Sequence, residues 1–408
     1  MSTAVPSNAV SGVTAATADE RAQMTLRVFL SRGFRPFFLC AALWAVTALA
    51  LWIAMLTTGF ALPIRFDPLS WHIHEMLFGF VLAAVAGFLL TAIPEWTGRR
   101  PVSGPLLGLL CGLWILGRVD ALFSAFPPLW LAIGADIAFP VALTAVVARE
   151  IIAGGGRRLM IAPLSGLTLA QLLMDFGGEA GVGGLDAYGW RLGLAAMLIL
   201  ISVVGGRIVP AFTRNWLMRR GQERVPPTAG IVDRAALGVL HAALIAWVLF
   251  PAAHLTGLAL FGGAAVNLWR LARWCGVATR AEPLLLVLHV GYAWLVTGVA
   301  ALGLATLDAA FPLSAAIHAL TVGAIGTMIL AVMTRATRGH TGRVLTADGP
   351  TALIYVLVGL ATAARITAAF ATQTYLYWLF AAGCLWIGAY GLFALRYAPL
   401  LLHPRRNP

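Results

Sequence analysis

Apolar residues run almost unbroken for about 20 positions at a time along most of the chain, and short segments bearing Gly, Pro or Arg separate the runs. Coiled as helices, such runs match the thickness of a bilayer's hydrocarbon core. The pattern predicts twelve spans: residues 34–58, 71–94, 104–120, 128–149, 162–176, 189–209, 230–250, 253–273, 283–306, 313–334, 350–370 and 375–396. Spans three and five are short. Residues 1–33 form a polar tail rich in Ser, Thr and Ala, residues 34–397 a single transmembrane domain, and residues 398–408 a short basic tail. No short apolar stretch ending in a small-residue cleavage site follows the first tail, so the first span is expected to be a retained anchor. The expected fold class is all-α, a polytopic membrane bundle of about twelve transmembrane helices.

Arginine placement orients the bundle. The chain has no lysine, and its 28 cations are all arginines. With the N-terminus inside, cytoplasmic segments hold Arg21, Arg27, Arg32 and Arg35, then Arg99 and Arg100, then Arg149, Arg157 and Arg158. They continue with Arg214, Arg219, Arg220 and Arg224, then Arg270, Arg273 and Arg280, then Arg335, Arg338 and Arg343, and end with Arg396, Arg405 and Arg406. The opposite segments hold Arg65, Arg118 and Arg191. This is the positive-inside pattern for an even number of spans with both termini cytoplasmic.

Composition agrees. With 60% hydrophobic and 11% charged residues, the chain lacks the polar material for a water-soluble surface. The net charge of +12 is dispersed between the runs, which excludes a nucleic-acid-binding face or tail. Four cysteines, Cys40, Cys111, Cys275 and Cys384, have no C-x-x-C spacing, so neither a disulfide framework nor a zinc or iron–sulfur site is expected.

Spans two and ten share His74/His318, Gly79/Gly323 and Thr97-Gly98-Arg99 against Thr341-Gly342-Arg343 at one spacing, and Pro210 and Thr213 in span six keep the spacing of Pro94 and Thr97. A 4+4+4 helix repeat would account for these matches. Ionisable groups within spans are costly and point to function. Of the eight histidines, His72, His74 and His318 lie at one depth near the outer ends of their spans, His289 in the inner half of span nine, and His340 beyond span ten on the inner side. Asp67-Pro68 reads as an N-cap with proline at the first helical position, so His72 and His74 diverge by about 200° around the helix. Glu75 is placed to orient the ring of His72, and which histidine faces inward stays open. Imidazole suits haem iron, copper and zinc, and with no cysteine nearby the choice narrows to haem or copper. A second, basic group comprises Arg207 within span six and Arg335 and Arg338 near the end of span ten, forks suited to haem propionates. Arg365 lies within a span with no evident partner, and the near-membrane acids Glu75, Asp120, Asp136, Asp175 and Asp308 trace no proton path.

His-x-His-Glu-Met-Leu-Phe-Gly (72–79), Gly-Gly-Arg-Ile-Val-Pro-x-Phe-Thr-Arg-Asn (205–215), His-Ala-Leu-Thr-Val-Gly-Ala-Ile-Gly-Thr-Met (318–328) and Met-Thr-Arg-Ala-Thr-Arg-Gly-His-Thr-Gly-Arg (333–343) resemble the NnrS family. So do Arg32-Gly-Phe-Arg35-Pro36-Phe and Leu288-His289-Val-Gly-Tyr-Ala-Trp294. The resemblance implies a bacterial inner-membrane protein carrying haem, of the b type in the absence of a c-type motif, together with copper. It places the chain in the nitric oxide response alongside denitrification. His72, His74, His289, His318 and His340 match motif histidines and become the metal-ligand candidates. The implied partners are the lipid bilayer, nitric oxide, and quinol or an electron-donor protein. Whether the protein reduces nitric oxide or acts as a sensor or sink stays open, and a twelve-helix secondary transporter is the rival reading.

Overall fold

The computed structural model describes residues 18–156 and 158–405. Residues 1–17 of the expected tail, Arg157, Arg406 and the side chain of Arg21 lie outside the described residues. Among the described residues every regular element is helical. A short helix α1 (Ala18–Phe29) precedes α2 (Phe34–Thr58), α3 (Pro68–Thr97), α4 (Gly104–Phe123), α5 (Leu129–Ala153), α6 (Ile161–Gly178) and α7 (Leu185–Met218). The chain continues through α8 (Ile231–Leu249), α9 (His254–Ala272), α10 (Pro283–Leu307), α11 (Leu313–His340), α12 (Gly349–Phe370) and α13 (Tyr375–Leu402). Eleven of these are long and apolar enough to cross a membrane, so the protein is a multi-pass membrane bundle. The exception besides α1 is α6, the expected fifth span. It is 18 residues long and carries Gln171 and Asp175 on its buried side.

The helices close into a ring in which α5 packs on α6, α9 on α10, and α13 on α2. Inside it, α3, α7 and α11 touch one another and are the most buried of the spanning helices. These are the second helices of three four-helix units, α2–α5, α6–α9 and α10–α13, the repeat that the sequence matches predict. The correspondence is closest between α3 and α11. Each contains a π-helical turn at the same register, Glu75–Val81 and Ala319–Gly326, and ends at a glycine in the left-handed region, Gly98 (φ 69°) and Gly342 (φ 72°). A tryptophan from the preceding helix occupies the space of a Cβ at Gly79 (Trp44 Nε1, 2.5 Å) and at Gly323 (Trp294, 2.9 Å). The turn in α7 lies at Ile201–Gly205, out of that register.

The start of α2 and the end of α13 lie at one face. Arg35, at the start of α2, donates to the carbonyl oxygens of Leu401 (2.7 Å) and His403 (2.8 Å) at the end of α13. The same face carries the arginine-rich loops, and the opposite, arginine-poor face carries the loop before α3. There Asp67 caps α3 by accepting from the backbone N–H groups of Leu69 and Ser70 at 3.0 and 3.1 Å, with Pro68 following it.

Candidate metal and cofactor sites

His72 and His74 leave α3 on different sides, as their spacing requires, and enter two different sites near the arginine-poor face. His74 is 1% exposed. Its Nδ1 lies 2.8 Å from Oε1 of Glu75, and its Nε2 faces Oδ2 of Asp136 on α5 at 2.8 Å and Oδ1 of Asp175 on α6 at 3.1 Å. Glu75 therefore orients His74, and not His72 as the three-residue spacing predicts. Glu75 is itself fixed by Arg118 on α4, whose Nη1 donates to both carboxylate oxygens at 2.7 and 2.6 Å, and by Nε1 of Trp44 at 2.7 Å. The other Nη of Arg118 donates to Oδ1 of Asp136 at 2.7 Å, and Gln171 donates to the Asp136 backbone carbonyl. Phe66 and Phe78 pack their rings on His74 and keep water out. Asp120 and Glu179 complete an acidic rim, each with one buried oxygen that has no hydrogen-bond partner. Burial and the neighbouring Asp175 push the Glu179 carboxyl up to about 7.

His72 instead lines a cavity of about 550 Å³ bounded by α2, α3, α7, α11, α12 and α13, and His318 of α11 lines the same cavity. Its wall is largely apolar, with Trp52, Met76, Phe80 and Trp386 prominent. His72 stacks on Trp52 with centroids 4.2 Å apart, and its Nδ1 is buried without a partner. His318 Nδ1 donates to the carbonyl oxygen of Ser314 at 2.6 Å, which leaves Nε2 as the basic nitrogen. Arg365, for which the sequence offers no partner, also lines the cavity, and one of its guanidinium nitrogens is buried unpaired.

The structure thus divides the three outer histidines, joining His72 to His318 and placing His74 among acids. The inner pair is not joined at all. His289 bonds through Nε2 to the Thr213 hydroxyl at 2.9 Å, whereas His340 stacks on Phe34 (5.4 Å) with Arg32 beside it. Among the described residues, the one group of three or more His, Cys, Asp or Glu side chains close enough to share an ion is His74, Asp136 and Asp175. The expected basic residues have other surroundings: Arg207 is exposed, Arg335 lies over the Phe212 ring at 4.2 Å, and Arg338 donates to the Val344 carbonyl and to Asp348. Asp348 lies outside the spans, and Thr351, Arg396 and Arg338 hold its carboxyl below the usual carboxylate range. His241, which matches no motif in the sequence, makes a cross-helix hydrogen bond with Ser202 at 2.7 Å.

Sequence reasoning missed Arg118, Asp136, Asp175 and Trp44 as parts of one site. Their only common signal is that each is a polar or charged group inside an apolar run. No curated protein matches the chain. A family model described as the NnrS protein matches residues 28–405, which take in all twelve long helices and both sites. The chain belongs to the NnrS family.

Proposed function

We propose that this membrane protein of the nitric oxide response carries a haem in the cavity between His72 and His318. The observation that carries the proposal is the presence of two histidines, from two central helices, on the wall of one apolar cavity of about 550 Å³. Their ring nitrogens suit ligation: His318 has its tautomer set by Ser314, and His72 has a buried nitrogen without a partner. Trp52 and Trp386 supply flat apolar walls, and the unpaired Nη1 of Arg365 fits a propionate carboxylate. Arg365 thus takes the part that the sequence suggests for Arg207, Arg335 and Arg338. No cysteine lines the cavity, so the group is held without covalent attachment, as a b-type haem is.

Haem iron, when bound, supplies a redox centre with affinity for diatomic ligands such as nitric oxide. The chain excludes water around it, orients the ring and neutralises its carboxylates. The sequence carries neither a c-type haem motif nor a nicotinamide fingerprint, so electrons come from quinol or a separate protein. The family resemblance implies copper as well, and among the described residues no three imidazoles come together to hold it. The arginine-rich face is the cytoplasmic one and the membrane the bacterial inner membrane. Purified protein supplied with a quinol donor tests the role. Continuous consumption of nitric oxide assigns catalysis, and uptake that stops at one equivalent per haem assigns a sink or sensor. Protein from haem-replete cells that contains no haem overturns the proposal.

A further inference from the structure

We infer that His74, Asp136 and Asp175 hold one divalent cation of the zinc class. Nε2 of His74 and the facing oxygens of Asp136 and Asp175, at 2.8 and 3.1 Å, are spaced as ligands on one ion. Two ligands about 2.1 Å from a tetrahedral metal lie about 3.4 Å apart, so an ion is seated here when these side chains move outward by a few tenths of an ångström each. The ring of His74 is held as a ligand is held. Its other nitrogen is bonded to Glu75, and Glu75 is locked by Arg118 and Trp44, the carboxylate–histidine–metal arrangement that fixes a tautomer.

Charge supports the same conclusion. Glu75, Asp136 and Asp175 contribute three negative charges, and the Arg118 guanidinium, bonded to Glu75 and Asp136, contributes one positive. A divalent ion with a neutral His74 brings this buried set to zero, the condition a group at lipid depth demands. Asp175 is 1% exposed, yet its Oδ2 has no partner. The donor set is one imidazole and two carboxylates, which suits Zn²⁺ and related divalent ions and lacks the soft sulfur ligands that select Cu(I).

The test uses the full-length protein in detergent, stripped with a chelator and returned to Zn²⁺, with bound zinc counted after desalting. The wild type is expected to retain one equivalent and to melt at a higher temperature than the stripped form. Asp175→Asn should bind Zn²⁺ at least tenfold more weakly and lose the thermal gain, while His72→Ala keeps both. A wild type that retains no zinc overturns the inference without any variant, and Asp175→Asn binding as tightly as wild type overturns it equally. The first result means that protons, not a metal, balance the acids, and the second that the bound zinc does not use Asp175. Zinc stoichiometry is independent of haem content, so the two proposals stand or fall separately.

Discussion

Arg118 and Arg365 are both arginines buried within apolar runs, and their removal should have opposite consequences. Arg118 bridges Glu75 and Asp136, so Arg118→Ala leaves buried carboxylates unpaired and should cost about 3–5 kcal/mol. Arg365 has a buried nitrogen with no partner, so Arg365→Ala should leave the thermal midpoint of the haem-free protein unchanged or raised, and weaken haem retention. Thermal unfolding in detergent, followed by helicity, checks both. Hydropathy ends span three close to Arg118 and so groups this arginine with the outer loops. Its pairing is illegible in the sequence because it joins three helices with no fixed spacing: Glu75 is 43 residues from Arg118 and Asp136 is 18. What can be read is local. The divergence of His72 and His74 follows from helix geometry alone, and so does the Asp67–Pro68 cap.

At the scale of the element, the π-helical turns of α3 and α11 place the chemistry. Each follows a site histidine directly, His74 and His318, and each contains the glycine against which a tryptophan packs. Gly79→Ala would drive a methyl into Trp44 and Arg118, the two residues that hold Glu75, and overpacking of this kind costs about 1–3 kcal/mol. Gly112→Ala on α4 is the control. Its added methyl meets open space, and alanine in a helix interior is favoured by about 0.5–1 kcal/mol. A smaller loss at Gly79 than at Gly112 would contradict the close approach that defines this turn. The long helices are legible because hydropathy is local. The π turns are not, since they depend on which side chain of a neighbouring helix presses on the backbone. Helix α6 shows the reverse limit: Gln171 and Asp175 dilute its apolarity because they serve the site.

Across the whole molecule, the first and third units build their sites at corresponding places. In the first, a histidine on the second helix and an arginine on the third meet carboxylates from neighbouring helices; in the third, His318 and Arg365 meet a cavity. The cavity is thus the position where the protein's own acids are missing and a ligand's carboxylate fits. The ring closure of α13 on α2 requires an even number of crossings, which includes α6. Reporter fusions after Gly98 and after Arg405 should therefore lie on one side of the membrane and a fusion after Phe60 on the other. Opposite sides for the first two would remove α6 from the crossings. Arginine placement alone makes this topology readable, whereas the cavity is hidden from the sequence because its walls come from both ends and the middle of the chain. One haem held by His72 and His318 gives the purified protein an absorption spectrum that depends on both residues. The wild type is expected to show a Soret band that is shifted or lost in both His72→Ala and His318→Ala and kept in His340→Ala. A Soret band unchanged in both cavity variants would contradict it.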